Sequence, residues 1–142
     1  MHSVLKEKLL AFITVNNPDL TETLRTDYGI TTYLEDKLHS VMSLVSQLLT
    51  EGKPLYIIEE LALNEMTAEL RPSRFNYIKE VLETEFSSEY ERFSEAGVLT
   101  YECINLTAHC KEVFESFEFN EENEDNRFLK YAIIGKVHDY LN

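Results

Sequence analysis

The sequence predicts an all-α fold, a single compact bundle-like domain of five to seven helices over residues 1–142. Apolar residues recur at helical spacing along almost the whole chain, and no window shows the period-two alternation of a strand. The 4 Gly and 3 Pro are too few for a low-complexity chain, and 44% apolar residues are too many for a disordered acidic one. A chain of this length buries enough surface to be stable without disulfide or metal support.

The first half of the chain predicts three helices, because apolar residues return there every three or four positions. The first helix stops before Pro18. The second, from Ile30 to Leu49, keeps its stripe for about five turns, and Gly52 suits the left-handed residue that ends it. The third begins at Pro54 and ends near Leu70. Its inward-facing residues are expected to be Leu55, Ile58, Leu61, Ala62 and Met66.

The second half predicts three more helices. Ser73 is a natural N-cap for a helix that extends to Phe86. The others cover residues 100–116 and 128–141, and the acidic stretch from Glu118 to Asp125 between them is a loop. Residues 87–97 predict either a loop or a short helical turn that presents Tyr90.

The net charge of −13, from 26 acidic and 13 basic residues, bears on the partners of the protein. No direct nucleic-acid or anionic-membrane partner is expected, because phosphate binding needs a local excess of Lys and Arg. The acidity is regional: residues 80–125 hold 14 acidic and 2 basic residues, whereas the other 96 residues carry a net charge of −1. Such a region would either attract a basic protein surface or serve only solubility.

The candidate partner-binding residues are five carboxylates of this region and one tyrosine. They are Glu118, Glu121, Glu122, Glu124, Asp125 and Tyr90. Tyrosine suits protein contacts at boundary positions, although the core is the favoured place for each single tyrosine. The boundary candidates are Tyr28, Tyr33, Tyr56, Tyr77, Tyr90 and Tyr101.

No catalytic residue, cofactor or metal is predicted, because the chain contains no Gly-rich phosphate loop, HExxH, CxxC or nucleophile elbow. Cys103, His109 and Cys110 form the one local cluster of soft ligands. A zinc site would need two further ligands, such as His39 or His138. We therefore expect both cysteines to pack as small apolar residues.

The cysteine count and the N-terminal residues indicate a cytoplasmic protein. Two cysteines are too few for a disulfide scaffold and fit a reducing compartment. Lys6 and Lys8 precede a short apolar run, as in a signal peptide, but no small-residue cleavage site follows. No apolar run approaches the roughly 18–20 residues of a membrane span.

The order of landmarks resembles the domain-of-unknown-function family numbered 1896, small helical proteins of Bacteroidetes that often lie within mobile elements. The matching segments are Leu9-Leu10-Ala11-Phe12, Asn17-Pro18-Asp19-Leu20, Glu51-Gly52, Glu59-Glu60-Leu61-Ala62, Phe75…Ile78…Leu82…Glu85-Phe86 and Cys110-Lys111-Glu112-Val113-Phe114. The resemblance spans most of the chain and implies an all-α fold in the cytoplasm of a bacterium. It implies no catalytic residue.

Three functions fit these observations. The first is a non-enzymatic accessory or protein-binding protein, associated with a mobile element, that takes a basic protein partner on its acidic region. The alternative is an acidic DNA mimic that inhibits a nucleic-acid-handling enzyme. The third is an enzyme assembled from dispersed His and Glu residues. The oligomeric state stays open, because periodicity does not show which helix faces find partners within one chain.

Overall fold

The fold is all-helical, as predicted. The computed structural model describes residues 1–27 and 29–142, in which there are nine α-helices, one short 3-10 helix and no strand. The α-helices are α1 (His2–Asn16), α2 (Pro18–Asp27), α3 (Ile30–Thr50), α4 (Leu55–Met66), α5 (Arg74–Glu85), α6 (Ser87–Glu95), α7 (Leu99–His109), α8 (Lys111–Ser116) and α9 (Arg127–Leu141). The 3-10 helix is Ala68–Leu70. Every helix in this part of the chain is too short or too polar to cross a membrane.

The predicted number of five to seven helices is wrong, because α2, α6 and α8 were not predicted as separate helices. Pro18 ends the first predicted helix, but it also begins α2, since a residue without an N–H suits the first position of a helix. The predicted helix over residues 100–116 is divided at Cys110, whose φ of −93° and ψ of 5° leave the helical region. Residues 87–97, left open between loop and turn, contain α6.

The described chain divides into two compact units, each with its own hydrophobic core. The first unit comprises residues 1–15 and 20–71, and the second comprises residues 16–19 and 72–142. The expected single domain stays a prediction.

The core of the first unit is formed by stripes from α1, α3 and α4. Its buried members are Leu5, Leu9, Ile13, Leu34, Leu38, Val41, Val45, Leu48, Ile58, Ala62 and Met66. The predicted inward orientation of Leu55 and Leu61 is wrong: they are 61% and 41% exposed. Because α4 packs chiefly along α3, it buries one narrow stripe, and these two side chains fall outside it.

The core of the second unit is built around α5, which lies against α6, α7 and α9. Its buried members are Phe75, Ile78, Val81, Leu82, Cys103, Leu106, Cys110, Phe114, Leu129, Ile133 and Val137. Both cysteines pack among apolar side chains, as predicted.

The tyrosines lie at the edges of these cores and not inside them. The favoured core position is wrong for the five boundary candidates that the structure describes, and Tyr28 lies outside the described residues. Tyr33, Tyr77 and Tyr90 are half-buried, whereas Tyr56 and Tyr101 are 69% and 64% exposed. An edge position lets a tyrosine bury its ring while its hydroxyl finds a partner or water, although the hydroxyl of Tyr33 is buried without a hydrogen-bond partner among the described residues.

Two predicted helix ends are confirmed in atomic detail. Ser73 Oγ accepts a hydrogen bond of 3.0 Å from the backbone N–H of Asn76, as an N-cap of α5 should. At the end of α3, Gly52 has a φ of 75°. The N–H groups of Gly52 and Lys53 donate to the carbonyls of Leu49 and Leu48, which is the Schellman motif.

Candidate functional site

A pocket of about 410 Å³ opens in the second unit between the start of α5, the acidic loop (residues 118–125) and the start of α9. Three carboxylates line it, from Glu80, Glu124 and Asp125, together with the aromatic rings of Tyr77 and Phe119. This volume lies within the range typical of small-ligand sites, roughly 300–1,000 Å³. The pocket is the candidate functional site.

Helix α5 supplies one wall of the pocket because its polar residues share a face. Ser73, Tyr77, Glu80 and Thr84 follow one another at spacings of three or four, which places them in a row along the helix. The opposite face carries the buried stripe of the core, including Ile78. Packing of that stripe therefore fixes the orientation of the pocket wall.

The aromatic lining is held by edge-to-face contacts. The ring of Tyr77 lies 5.7 Å from that of Phe114 and 5.3 Å from that of Phe119, with interplanar angles of 84° and 76°. The rings of Phe114 and Phe119 are 4.9 Å apart. Since Phe114 is completely buried, it anchors the two lining rings to the core.

The acidic loop begins with another Schellman motif, in which a glutamate occupies the left-handed position. Glu118 has a φ of 52°, and the N–H groups of Glu118 and Phe119 donate to the carbonyls of Glu115 and Phe114. The ring contact between Phe119 and Phe114 is the apolar contact that usually accompanies this motif. The turn thereby directs Phe119 into the pocket lining.

Two asparagines then shape the rest of the loop. Asn120 Oδ1 accepts from the N–H of Glu122 at 2.7 Å, and Asn123 Oδ1 accepts from the N–H of Asn120 at 2.9 Å. Asn123 Nδ2 donates to the carbonyl of Phe117 at 2.7 Å. These side-chain hydrogen bonds take the place of the backbone hydrogen bonds of regular secondary structure and fix the conformation of the loop.

Asn126 connects the loop to α9. Its Oδ1 accepts from the N–H groups of Phe128 and Leu129 at 2.9 and 3.0 Å, which caps the helix. Glu124 and Asp125 directly precede this N-terminus, where the partial positive charge of the helix stabilises carboxylates.

The pocket is strongly negative. Within the part of the chain that the structure describes, the side chains of Glu80, Glu124 and Asp125 have no ion pair. Lys130 also lines the pocket, but its Nζ lies 3.3 Å from Glu85 Oε1. Burial raises the pKa of Tyr77, and the charges of Glu80 and Asp125 raise it further. A cation would therefore be favoured beside this phenol.

Two of the six predicted partner-binding residues, Glu124 and Asp125, line the pocket. Glu118, Glu121 and Glu122 are exposed on the loop outside the pocket lining. The sixth, Tyr90, packs its half-buried ring against the core of the second unit, where burial and then Glu83 raise the pKa of its hydroxyl.

Tyr77, Glu80 and Phe119 were not predicted to belong to one site. The available signal was the row of polar residues opposite the apolar stripe of α5, which marks the exposed face of that helix. It did not show that the acidic loop would border this face.

The cysteine–histidine cluster separates into a buried part and an exposed part. Burial raises the pKa of the Cys103 and Cys110 thiols to about 11. His109 is exposed, and its ring lies 5.4 Å from that of Tyr140 at an interplanar angle of 57°. In the described parts of the chain, no group of three or more His, Cys, Asp or Glu residues could hold a metal ion.

The histidines also lie away from the pocket, since none belongs to its lining. His2 Nε2 lies 3.2 Å from Glu35 Oε2 on the surface of the first unit. His39 and His138 are exposed.

Comparison of the chain with protein-family models, curated proteins and solved structures found no match. The resemblance to the family numbered 1896 stays a prediction that rests on the quoted residues. The carboxylates and aromatic rings that line the pocket suit a cationic group.

Proposed function

We propose that the protein is a non-enzymatic accessory protein that binds a basic segment of a partner protein through its second unit. The observation that carries this proposal is the pocket in which Glu80, Glu124 and Asp125 lie together with no ion pair to any described residue. Charge-assisted hydrogen bonds to a basic side chain are stronger than neutral ones, so a Lys- or Arg-rich segment gains most from such a site.

The distribution of charge between the units supports the same surface. The second unit holds 16 acidic and 7 basic residues, a net charge of −9, whereas the first unit holds 10 and 6, a net charge of −4. A field of this sign accelerates the encounter with a basic partner and makes binding sensitive to salt.

The setting of this function follows from the sequence resemblance and is part of the proposal. A bacterial cytoplasmic protein carried by a mobile element would meet both host proteins and the proteins of its own element. Basic partners are plentiful in either group, because proteins that handle nucleic acid carry exposed Lys and Arg.

The test is an affinity capture from a Bacteroidetes lysate, followed by binding measurements on the purified partner. A variant neutralised at five loop carboxylates is compared with the wild type. Its substitutions are Glu118→Gln, Glu121→Gln, Glu122→Gln, Glu124→Gln and Asp125→Asn. The matched control removes five exposed carboxylates of the first unit. Its substitutions are Glu7→Gln, Glu22→Gln, Glu51→Gln, Glu60→Gln and Glu65→Gln.

We expect the loop variant to lose a basic partner that the control variant retains. Binding of the purified partner should weaken at least about tenfold between roughly 50 mM and 500 mM salt, because exposed charge pairs are screened. Equal affinity of both variants, or affinity unchanged by salt, would exclude the acidic loop as the docking surface. Recovery of a nucleic-acid enzyme that duplex DNA displaces competitively would favour the DNA-mimic alternative.

A further inference from the structure

We infer that the pocket between α5, the acidic loop and α9 receives an arginine side chain of the partner protein. This inference rests on the proposed function and deepens it, because it names the group that the pocket recognises. The charge of the pocket, the chemistry of its lining and the rigidity of its walls favour this ligand.

The charge of the pocket calls for a cation from outside the described chain. Glu80, Glu124 and Asp125 carry three negative charges into one concave site, and Lys130, the one cation of the lining, is paired with Glu85 at 3.3 Å. All three side chains are exposed, so a cation can reach them directly from solvent. Attraction to these carboxylates supplies part of the binding free energy of a cationic ligand.

The lining favours a guanidinium over an ammonium group. Three carboxylates from two segments line the pocket, and the five N–H donors of arginine can serve more of them at once than a single ammonium group can. The rings of Tyr77 and Phe119 offer aromatic surface, on which a planar and weakly hydrated guanidinium stacks. A lysine ammonium is compact and strongly hydrated, so it would use less of this lining.

The walls of the pocket are held in place before any ligand arrives. Ring contacts tie Tyr77 and Phe119 to the buried Phe114, and Asn120, Asn123 and Asn126 fix the backbone of the loop and of the α9 start. Preorganised groups lose little entropy on binding, which raises the affinity for a ligand of matching shape. A volume of about 410 Å³ accommodates one long side chain with part of its backbone.

The first experiment follows the amide resonances of the isotope-labelled full chain by NMR during titration with three peptides. These are acetyl-Gly-Gly-Arg-Gly-Gly-amide and the same peptide with lysine or with citrulline, the neutral isostere of arginine. We expect the arginine peptide to shift amides of residues 77, 80, 119 and 124–126, and the lysine peptide to bind about fivefold more weakly. Equal binding of lysine or of citrulline would overturn the assignment.

The second experiment separates the pocket from the general acidity of the unit. The pocket variant carries Glu80→Gln, Glu124→Gln and Asp125→Asn, and the control variant carries Glu89→Gln, Glu91→Gln and Glu95→Gln on α6. Both remove three charges from the second unit, and circular dichroism verifies that both are folded. We expect arginine-peptide affinity to fall about tenfold in the pocket variant and to change less than about twofold in the control. An equal loss in both would overturn the inference.

The outcomes distinguish this inference from the proposed function. A partner that is still captured through the loop, while the arginine peptide fails to bind the pocket, would refute the arginine site alone. An arginine peptide that binds the pocket, while no basic partner depends on the loop, would refute the proposed function.

Discussion

Phe114 connects the core of the second unit to its pocket. The side chain is completely buried in the core, and its ring contacts both lining rings, Tyr77 and Phe119. One residue therefore contributes to stability through burial and to the site through the position of its neighbours.

We predict that Phe114→Ala destabilises the protein by about 3–5 kcal/mol, because it removes a buried ring and leaves a cavity. Phe128→Ala is the control, since Phe128 is 59% exposed and should change the stability by no more than about 0.5 kcal/mol. Urea unfolding followed by circular dichroism measures both values. Similar losses in the two variants would show that Phe114 does not anchor the core.

The ionised side chain of Glu35 connects α3 to α1 through Lys6. It lies on α3 and accepts a hydrogen bond of 2.9 Å from Lys6 Nζ of α1. That bond lowers the pKa of Glu35 below its ordinary value of 4.5, against the opposing effect of partial burial, and the charges of Lys6 and His2 add to the lowering. The carboxylate form is therefore favoured in the folded state.

The lowered pKa of Glu35 determines how its contribution to the stability of the fold changes with pH. A lowered folded-state pKa stabilises the protein above the unfolded value of 4.5 and loses that contribution as the pH falls through the folded value. We predict that Glu35→Gln lowers the melting temperature at pH 7 but not at about pH 2, where the wild-type carboxyl is also neutral. Glu7→Gln is the control. A difference from wild type that persists undiminished in acid would contradict the assignment.

At the scale of the element, the Schellman motifs that end α3 and α8 have the same hydrogen bonds but different residues at the left-handed position. Gly52 ends α3 there with a φ of 75°, and Glu118 ends α8 there with a φ of 52°. A residue with a Cβ costs about 1–2 kcal/mol in this conformation, whereas glycine does not. The acidic loop thus begins at a strained residue.

We predict opposite effects for two reciprocal substitutions. Gly52→Ala should destabilise the protein by about 1 kcal/mol, although no atom lies within 4 Å of the new Cβ, and Glu118→Gly should stabilise it by about 1 kcal/mol. Gly135→Ala, inside α9 and also with open space, is the control and should stabilise by about 0.5–1 kcal/mol. Thermal unfolding measures all three. The interpretation fails if Gly52→Ala and Gly135→Ala change the stability in the same direction.

The helices differ in how well the sequence predicts them, for a physical reason. Helix α3 has one uninterrupted stripe and a glycine after its end, so local pattern and tertiary packing agree. The break at Cys110 has no local cause, since no residue from 109 to 111 is a helix breaker. Cys110 at this break and Phe114 after it are both completely buried in the core of the second unit, and the apolar periodicity of the sequence does not contain that packing.

The candidate site was also predicted only in part from the sequence. The local excess of acidic residues identified the acidic loop, with Glu124 and Asp125, as a candidate partner-binding region. The partners from α5, Tyr77 and Glu80, lie more than 40 positions earlier in the chain. Only the packing of α5 and α9 in one core brings them to the same pocket.

At the scale of the whole molecule, the chain combines two separate cores with an uneven distribution of charge. The second unit carries −9 of the total of −13 and also the pocket. The most acidic part of the chain is therefore also the part with a shaped site. This coincidence is what a binding function requires, because long-range attraction and short-range recognition then act on the same unit.

The buried thiols give the protein an internal reporter of its own fluctuations. Both cysteines lie in the core of the second unit, and the first unit has none. Because a buried thiol with a raised pKa reacts only when its surroundings open, alkylation of the native chain measures how often the second unit opens. No engineered label is needed, and local opening of the second unit can be measured separately from local opening of the first unit.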